Sequence, residues 1–238
     1  MFDRDSDNKK RVMTMSKSAV LIGVIVLLGA VAFALHTGAD WREVQATAAP
    51  AMAADPDLDA VRRATERFRD LQVALAEGYI RDPFDLCETA EMMGRPRDLG
   101  AMGVHYFRPD LLGVTEPPAP RVKGTGTHTD FLVPAILIYE PQADGTFELV
   151  AVENLAFQAA WEAAGHVGPP SFQGVPYDHM VDDPATATDE AHMFDPHFDR
   201  HVWLYRENPN GMFSPFNPNV SCEHHQGASS HSHAGATT

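Results

Sequence analysis

FLVPAILIYEPQADGTFELVAVENLAF, residues 131–157, is the stretch that decides the fold. Two runs rich in aliphatic and aromatic residues flank Asp144-Gly145, a dipeptide favoured at the tip of a two-residue β-hairpin. Such a turn pairs Tyr139 with Val150 and Ile138 with Ala151. Ile136, Ile138 and Glu140 then share a face with Leu149, Ala151 and Glu153. Glu140 falls about 13 Å from Glu153 along that face. Glu153 stands among apolar neighbours and needs a partner, because an unpaired buried carboxylate is costly.

Candidate partners lie on both sides of the hairpin. Downstream, DPHFDRHVWLYRENPNGMF, residues 195–213, places His197 and His201 four apart. On a helix they would share one ion. Pro196 and Pro209 bracket the run, however, and Val202, Trp203 and Tyr205 favour a strand. On a strand the two histidines share a face but lie about 13 Å apart, too far for one metal. A site at His201 must therefore take its other ligands from neighbouring strands. Upstream, His105 sits in MGVHYF, where the glycines at 94, 100 and 103 mark a loop entering a short extended segment over residues 104–107. Two histidines and one carboxylate can hold iron in a facial arrangement, or zinc with a water. The competing reading of His105, Glu153 and His201 is a buried hydrogen-bond network that ties the sheet together.

The remaining elements frame this hairpin. Asp55-Pro56 reads as an N-cap followed by Pro at the first helical position. Leu58, Val61, Thr65, Phe68, Leu71, Leu75 and Tyr79 follow at helical spacing, with Gly78 as the stop, and the other face carries charge. Residues 113–130 are rich in Pro and Gly and read as a surface loop. Residues 156–165 predict a short helix ended by Gly165. A long irregular segment follows, in which His179 and His192 stand among acidic residues as a solvated or cation-binding loop. The Asn- and Pro-rich stretch from 208 to 222 should fold back in turns, with Phe213 and Phe216 plugging the core edge. These elements predict an α+β domain over residues 55–222: an N-terminal amphipathic helix packed on a curved antiparallel sheet.

The 238-residue chain carries a net charge of −15. From residue 54 onward there are about 12 basic and about 28 acidic side chains. A surface this acidic repels phosphate backbones, so nucleic acid is excluded as an expected partner, whereas cations are attracted. The first residues differ. A basic region, 1–18, precedes the uncharged run AVLIGVIVLLGAVAFAL, residues 19–35, and an Ala-rich linker spans 36–54. At about 17 residues the run is at the lower edge for a membrane span. Read as a signal peptide it is cleaved at AFA or AMA; read as a signal anchor it stays as one membrane helix. Both readings export the main domain to the periplasm or cell envelope. In that oxidising compartment Cys87 and Cys222 are expected to pair. Residues 223–238 are low-complexity and read as a disordered tail whose His224, His225, His231 and His233 can bind copper, nickel or zinc weakly. Nucleophile-elbow, phosphate-loop, dinucleotide, zincin and CxxC motifs are all missing from the sequence.

Read together, AMGVHYF, LIYEP, LVAVEN and HFDRHVWLYRENPNGMFSPFNPNVSC resemble a widespread family of uncharacterised exported bacterial proteins, from about residue 64 to residue 222. The resemblance puts His105, Glu153, His197, His201, Cys87 and Cys222 on motif positions. Asn154 and Phe198 stand where the family pattern has Tyr, and the insert near 122–130 and the His-rich tail are particular to this chain. The resemblance implies no activity. The expected function is an exported binding module for a transition metal such as zinc, copper or iron, centred on His105, Glu153 and His201. A metal-dependent oxidoreductase or hydrolase using the same trio, and a structural envelope protein, are the alternatives.

Overall fold

A computed structural model describes residues 54–227. The expected N-terminal helix is present in pieces. Helix α1 (Leu58–Thr65) is capped by Asp57, not Asp55; the Asp57 carboxylate accepts from the Ala60 amide at 2.6 Å. A 3-10 turn continues over Glu66–Arg69. Asp70, in an extended conformation, then caps α2 (Leu71–Ala76) by accepting from the Gln72 amide. Asp70 offers its own side chain to the backbone amides that follow it, and this breaks a run whose apolar spacing reads as continuous. The stripe itself survives: Val61, Phe68 and Ala74 are buried.

The strands and remaining helices follow in chain order: β1 (Ile80–Arg81), β2 (Cys87–Thr89), β3 (Ala101–Phe107), α3 (Pro109–Leu112), β4 (Ile136–Pro141), β5 (Phe147–Phe157), α4 (Gln158–Ala163), β6 (Ser171–Phe172), β7 (Val175–Pro176), β8 (Asp178–Met180) and β9 (His197–Val202). Seven of the strands form one antiparallel sheet in the order β1-β3-β4-β5-β9-β8, with β2 also paired to β3; β6 and β7 make a separate hairpin. The architecture is α+β. The irregular segment before β9 thus supplies an edge strand, β8, and α4 is the short helix expected there.

The decisive hairpin forms with a different local register. Its loop has one residue more than expected: Gln142 faces Thr146, the Gly145 amide donates to the Gln142 carbonyl at 3.0 Å, and Gly145 takes the left-handed φ of 83° that such a loop requires. Tyr139 therefore pairs with Leu149 rather than Val150. A β-bulge between Ile138 and Tyr139 then restores the frame, so that Ile138 meets Ala151 and Ile136 meets Glu153. The longer loop and the bulge cancel beyond Ile138. Between them, Leu149 turns to the face of Leu137, Tyr139 and Val152, not to the face of Ala151 and Glu153.

One sheet face packs beneath α1 and the 3-10 turn through Val104, Tyr106, Leu137, Tyr139, Val152 and Val202; the Tyr139 hydroxyl donates to the Phe68 carbonyl at 2.7 Å. The other face is covered by the short helix α3 and by segments without regular structure. Phe107, Ile136, Leu155 and Phe157 meet Leu112, Val122 and Phe194 there. The stretch 113–130, expected as a surface loop, is pinned in this layer. Val122 is buried and bridges residues 193–195, and Arg121 pairs with Asp182 and Asp189. Val122, the backbone bridge to residues 193–195 and the Arg121 ion pairs together anchor it.

The chain closes on itself at the other end of β3. Ala101 and Asn217 exchange both backbone hydrogen bonds, and a Cβ on Gly100 would lie 2.1 Å from the Asn217 carbonyl oxygen, so only glycine fits. The closing segment leads to a disulfide between Cys87 and Cys222, 135 residues apart. A structural disulfide of this kind marks an oxidising environment. Residues 223–227, expected as part of a disordered tail, include His225 at 3.3 Å from the Asp85 carboxylate. The expected basic region, export segment and most of the linker lie outside the described residues, as do His231 and His233. Among the described residues no helix is long and apolar enough to cross a membrane.

Replacing both Cys87 and Cys222 by Ser opens a loop of 135 residues. The expected cost is about 5 kcal/mol of stability, read as a fall in the urea midpoint with a steeper slope, because the uncross-linked chain exposes more surface when unfolded. A midpoint unchanged by the double substitution would contradict the closure described here.

Candidate metal centre

Three strands carry the trio on the face covered by irregular segments. Glu153 and His201 are direct cross-strand partners on β5 and β9. His105 comes from β3, beyond the intervening β4, where it pairs with Ile138. The gap is bridged diagonally by long side chains: His105 Nε2 is 3.3 Å and His201 Nε2 3.5 Å from the same Glu153 oxygen, Oε2. The two imidazoles stand nearly perpendicular, with ring centroids 6.2 Å apart. One ligand atom from each of His105, Glu153 and His201 lies within 4.8 Å of the others. The group can hold a metal ion.

Burial sharpens the case. His201 is 1% exposed and Glu153 3%. Both ring nitrogens of His201, and Glu153 Oε2, are buried without a well-directed hydrogen bond. A structural hydrogen-bond network would satisfy those atoms, since leaving them unmade costs about 1–3 kcal/mol each. They border a cavity of about 20 Å³, room for one water-sized species.

His197 lines the same cavity from the far end of β9, as does His192. His192 is not part of a solvated loop. It is buried, and its Nδ1 lies 2.6 Å from Glu88 Oε2 on β2. Asp199, between the two β9 histidines, is 2% exposed and points one unpartnered oxygen inward. Sequence reasoning missed Glu88, His192 and Asp199 as site residues. For Asp199 there was a signal: His197, Asp199 and His201 alternate on a strand, which puts three polar groups on one face. His192 and Glu88 gave none, because the contact joins a loop to a three-residue strand. His179 and His224 do not line this cavity, and His225 pairs with Asp85 instead.

The titration of these groups follows from their surroundings. Burial opposes charge on Glu153, yet His201, His105 and His192 pull its carboxyl down to about 2. Burial likewise opposes charge on His105, but Glu88, Glu153 and Asp82 outweigh it and push the imidazole up to about 9. His201 and His197 are held down to about 4 by burial. Burial and the nearby Glu153 charge raise Asp199 well above the usual carboxylate range. Neutral His201 and ionised Glu153 are in the protonation states that metal ligands require, whereas His105, held protonated in the metal-free protein, must release its proton on binding.

Compared with known proteins, the chain matches no family model, no curated protein and no solved structure.

These shifts set the pH dependence of the metal-free protein. His197 and His201, neutral when folded, take up protons on unfolding below about 6.5, so their contribution is lost as pH falls from 6.5 towards 4. His105 acts in the opposite sense: its contribution is full below about 6.5 and is lost as pH rises through 9. Thermal unfolding in a chelator from pH 4 to pH 9 should pass through a maximum near 6.5, falling on the acid side through His197 and His201 and on the alkaline side through His105 and His192, which Glu88 holds raised in the same direction. A flat profile would show that these histidines are not buried as described.

Proposed function

We propose that the domain is an exported transition-metal-binding module whose ion is held by His105, Glu153 and His201. The observation that carries the reading is the convergence of His105, Glu153 and His201 on one water-sized cavity, with Glu153 Oε2 and both His201 ring nitrogens buried and unpartnered. Mixed imidazole and carboxylate donors favour zinc, iron or copper over the hard alkaline-earth ions. The disulfide supports the periplasm or cell envelope as the location, together with the basic region and apolar run that open the sequence. A metal-dependent enzyme is the second reading, favoured by the count of three protein ligands, which leaves a coordination position open.

Elemental analysis of protein purified through its own export route, without an added His tag, tests the proposal. Near-stoichiometric zinc, iron or copper is expected in the wild type. His105→Ala and His201→Ala should each lose most of it while keeping the wild-type circular dichroism spectrum. No bound metal in the wild type, with both variants poorly folded, would make the trio a structural network.

A further inference from the structure

His105, Glu153 and His201 are almost wholly buried, so an ion bound there needs a way in, and one open cleft adjoins them. This cleft, about 430 Å³, has Met102 as a wall in common with the cavity of the trio. Met102 itself is fully buried. The two spaces are also neighbours across the sheet. β8 lies beside β9, with Met180 opposite His197 and Asp178 opposite Asp199. Opposed residues on neighbouring strands share a face. His197 and Asp199 line the cavity, whereas Met180 and Asp178 line the cleft. Glu190, also in the cleft, stands two residues before His192, which lines the cavity.

The lining of the cleft suits a cation that is losing water. The cavity has room for one water-sized species, so a hydrated ion must shed its shell outside it. That desolvation is costly unless other donors replace the water. The cleft supplies them. Met93, Met102 and Met180 offer thioether sulfurs, which suit soft and borderline ions. Asp178 is paired with Arg200 Nη1 at 3.3 Å, whereas Glu190 accepts from neutral donors, the Thr186 hydroxyl and the Asp183 amide. Arg95, exposed, is the one arginine of the lining, and no lysine joins it. The unbranched methionine side chain changes rotamer readily, so Met102 can swing aside while the β3 backbone stays in place. A second groove, about 360 Å³, meets the cavity at Phe107, but its lining holds no sulfur and a single carboxylate, Glu116.

We propose that this cleft is the loading vestibule of the metal centre. An incoming transition cation exchanges water for the Glu190 carboxylate and the thioethers, then passes Met102 to reach the trio. The proposal rests on the reading of His105, Glu153 and His201 as a metal site. Met102 is the gate, and the groove at Phe107 is not the route.

The rate of zinc uptake by the metal-free full chain tests this, with His224, His231 and His233 replaced by Ala to silence the tail. Uptake is quenched with chelator at timed intervals, and the zinc that His201→Ala fails to retain is counted as loading of the trio. Met180→Trp, which fills the cleft, is expected to load about tenfold more slowly with the final stoichiometry unchanged. Met102→Ala should load faster, and Thr115→Trp, in the groove at Phe107, at the parent's rate. At low salt Glu190→Gln should slow loading and Arg95→Gln speed it, each by about two- to threefold. A parent-like rate in Met180→Trp, or slowing in Thr115→Trp, overturns the vestibule and leaves the trio standing. Loss of zinc from a folded Met180→Trp also overturns it, because a vestibule does not hold the resident ion. A folded Met102→Ala that loads no faster than the parent overturns the gate. Should either cleft variant fail to fold, Glu190→Gln and Arg95→Gln decide, and rates that do not move in opposite directions sink the proposal. No zinc in the parent overturns the vestibule and the trio together.

Discussion

Charge buried on the inner face of an antiparallel sheet is the constraint around which this molecule is organised. Glu153, Asp199, His197 and His201 are each at most 3% exposed, and they occupy neighbouring positions on β5 and β9. Apolar residues enclose them: Phe107, Ile136, Leu155 and Phe194 line the same cavity. In such surroundings an ionised group is held by its neighbours or it is neutralised. Both outcomes occur. Glu153 stays ionised near His105 and His192, whose imidazoles are held raised, whereas His197 and His201 remain neutral and Asp199 holds its proton more tightly than usual. The covering layer, built mainly from loops with one short helix, seals this region, and Val122 and Phe194 lie in it.

Much of this was legible in the sequence where the signal was local. Asp144-Gly145 between two apolar runs gave the hairpin, and the pairing of Ile138 with Ala151 follows from it. That pairing holds for a reason the sequence does not disclose, the cancellation of a longer loop against a bulge. Where the two do not cancel, at Leu149, the expected face is wrong. Asp57 and Asp70 show the same limit in the helical region. An aspartate can cap, break or simply face water, and only the packing of Phe68 selects among these.

The site divides along the same line. His105, Glu153 and His201 could be singled out because each is a polar residue in an apolar strand, and strand alternation says which face it takes. Their meeting required β4 to lie between β3 and β5, and side chains long enough to cross it. His192 was opaque: it reaches the cavity from a segment without periodicity, and its partner Glu88 is set by a strand pairing remote in sequence. Polar residues on strands announce their direction; polar residues in loops do not.

Glu88 directly follows Cys87 on a strand of three residues. Cys87 opposes Val104 and Glu88 opposes Gly103, with an irregularity immediately after. So short a pairing is weakly fixed by its own hydrogen bonds, and a slip of one residue would turn Glu88 to the opposite face of the sheet. The bond between two sulfur atoms prevents that slip. Oxidation of Cys87 and Cys222 therefore does more than hold the ends of the domain together. It sets the strand frame in which a carboxylate faces the histidines, so the maturation of the cavity is tied to the redox history of the chain.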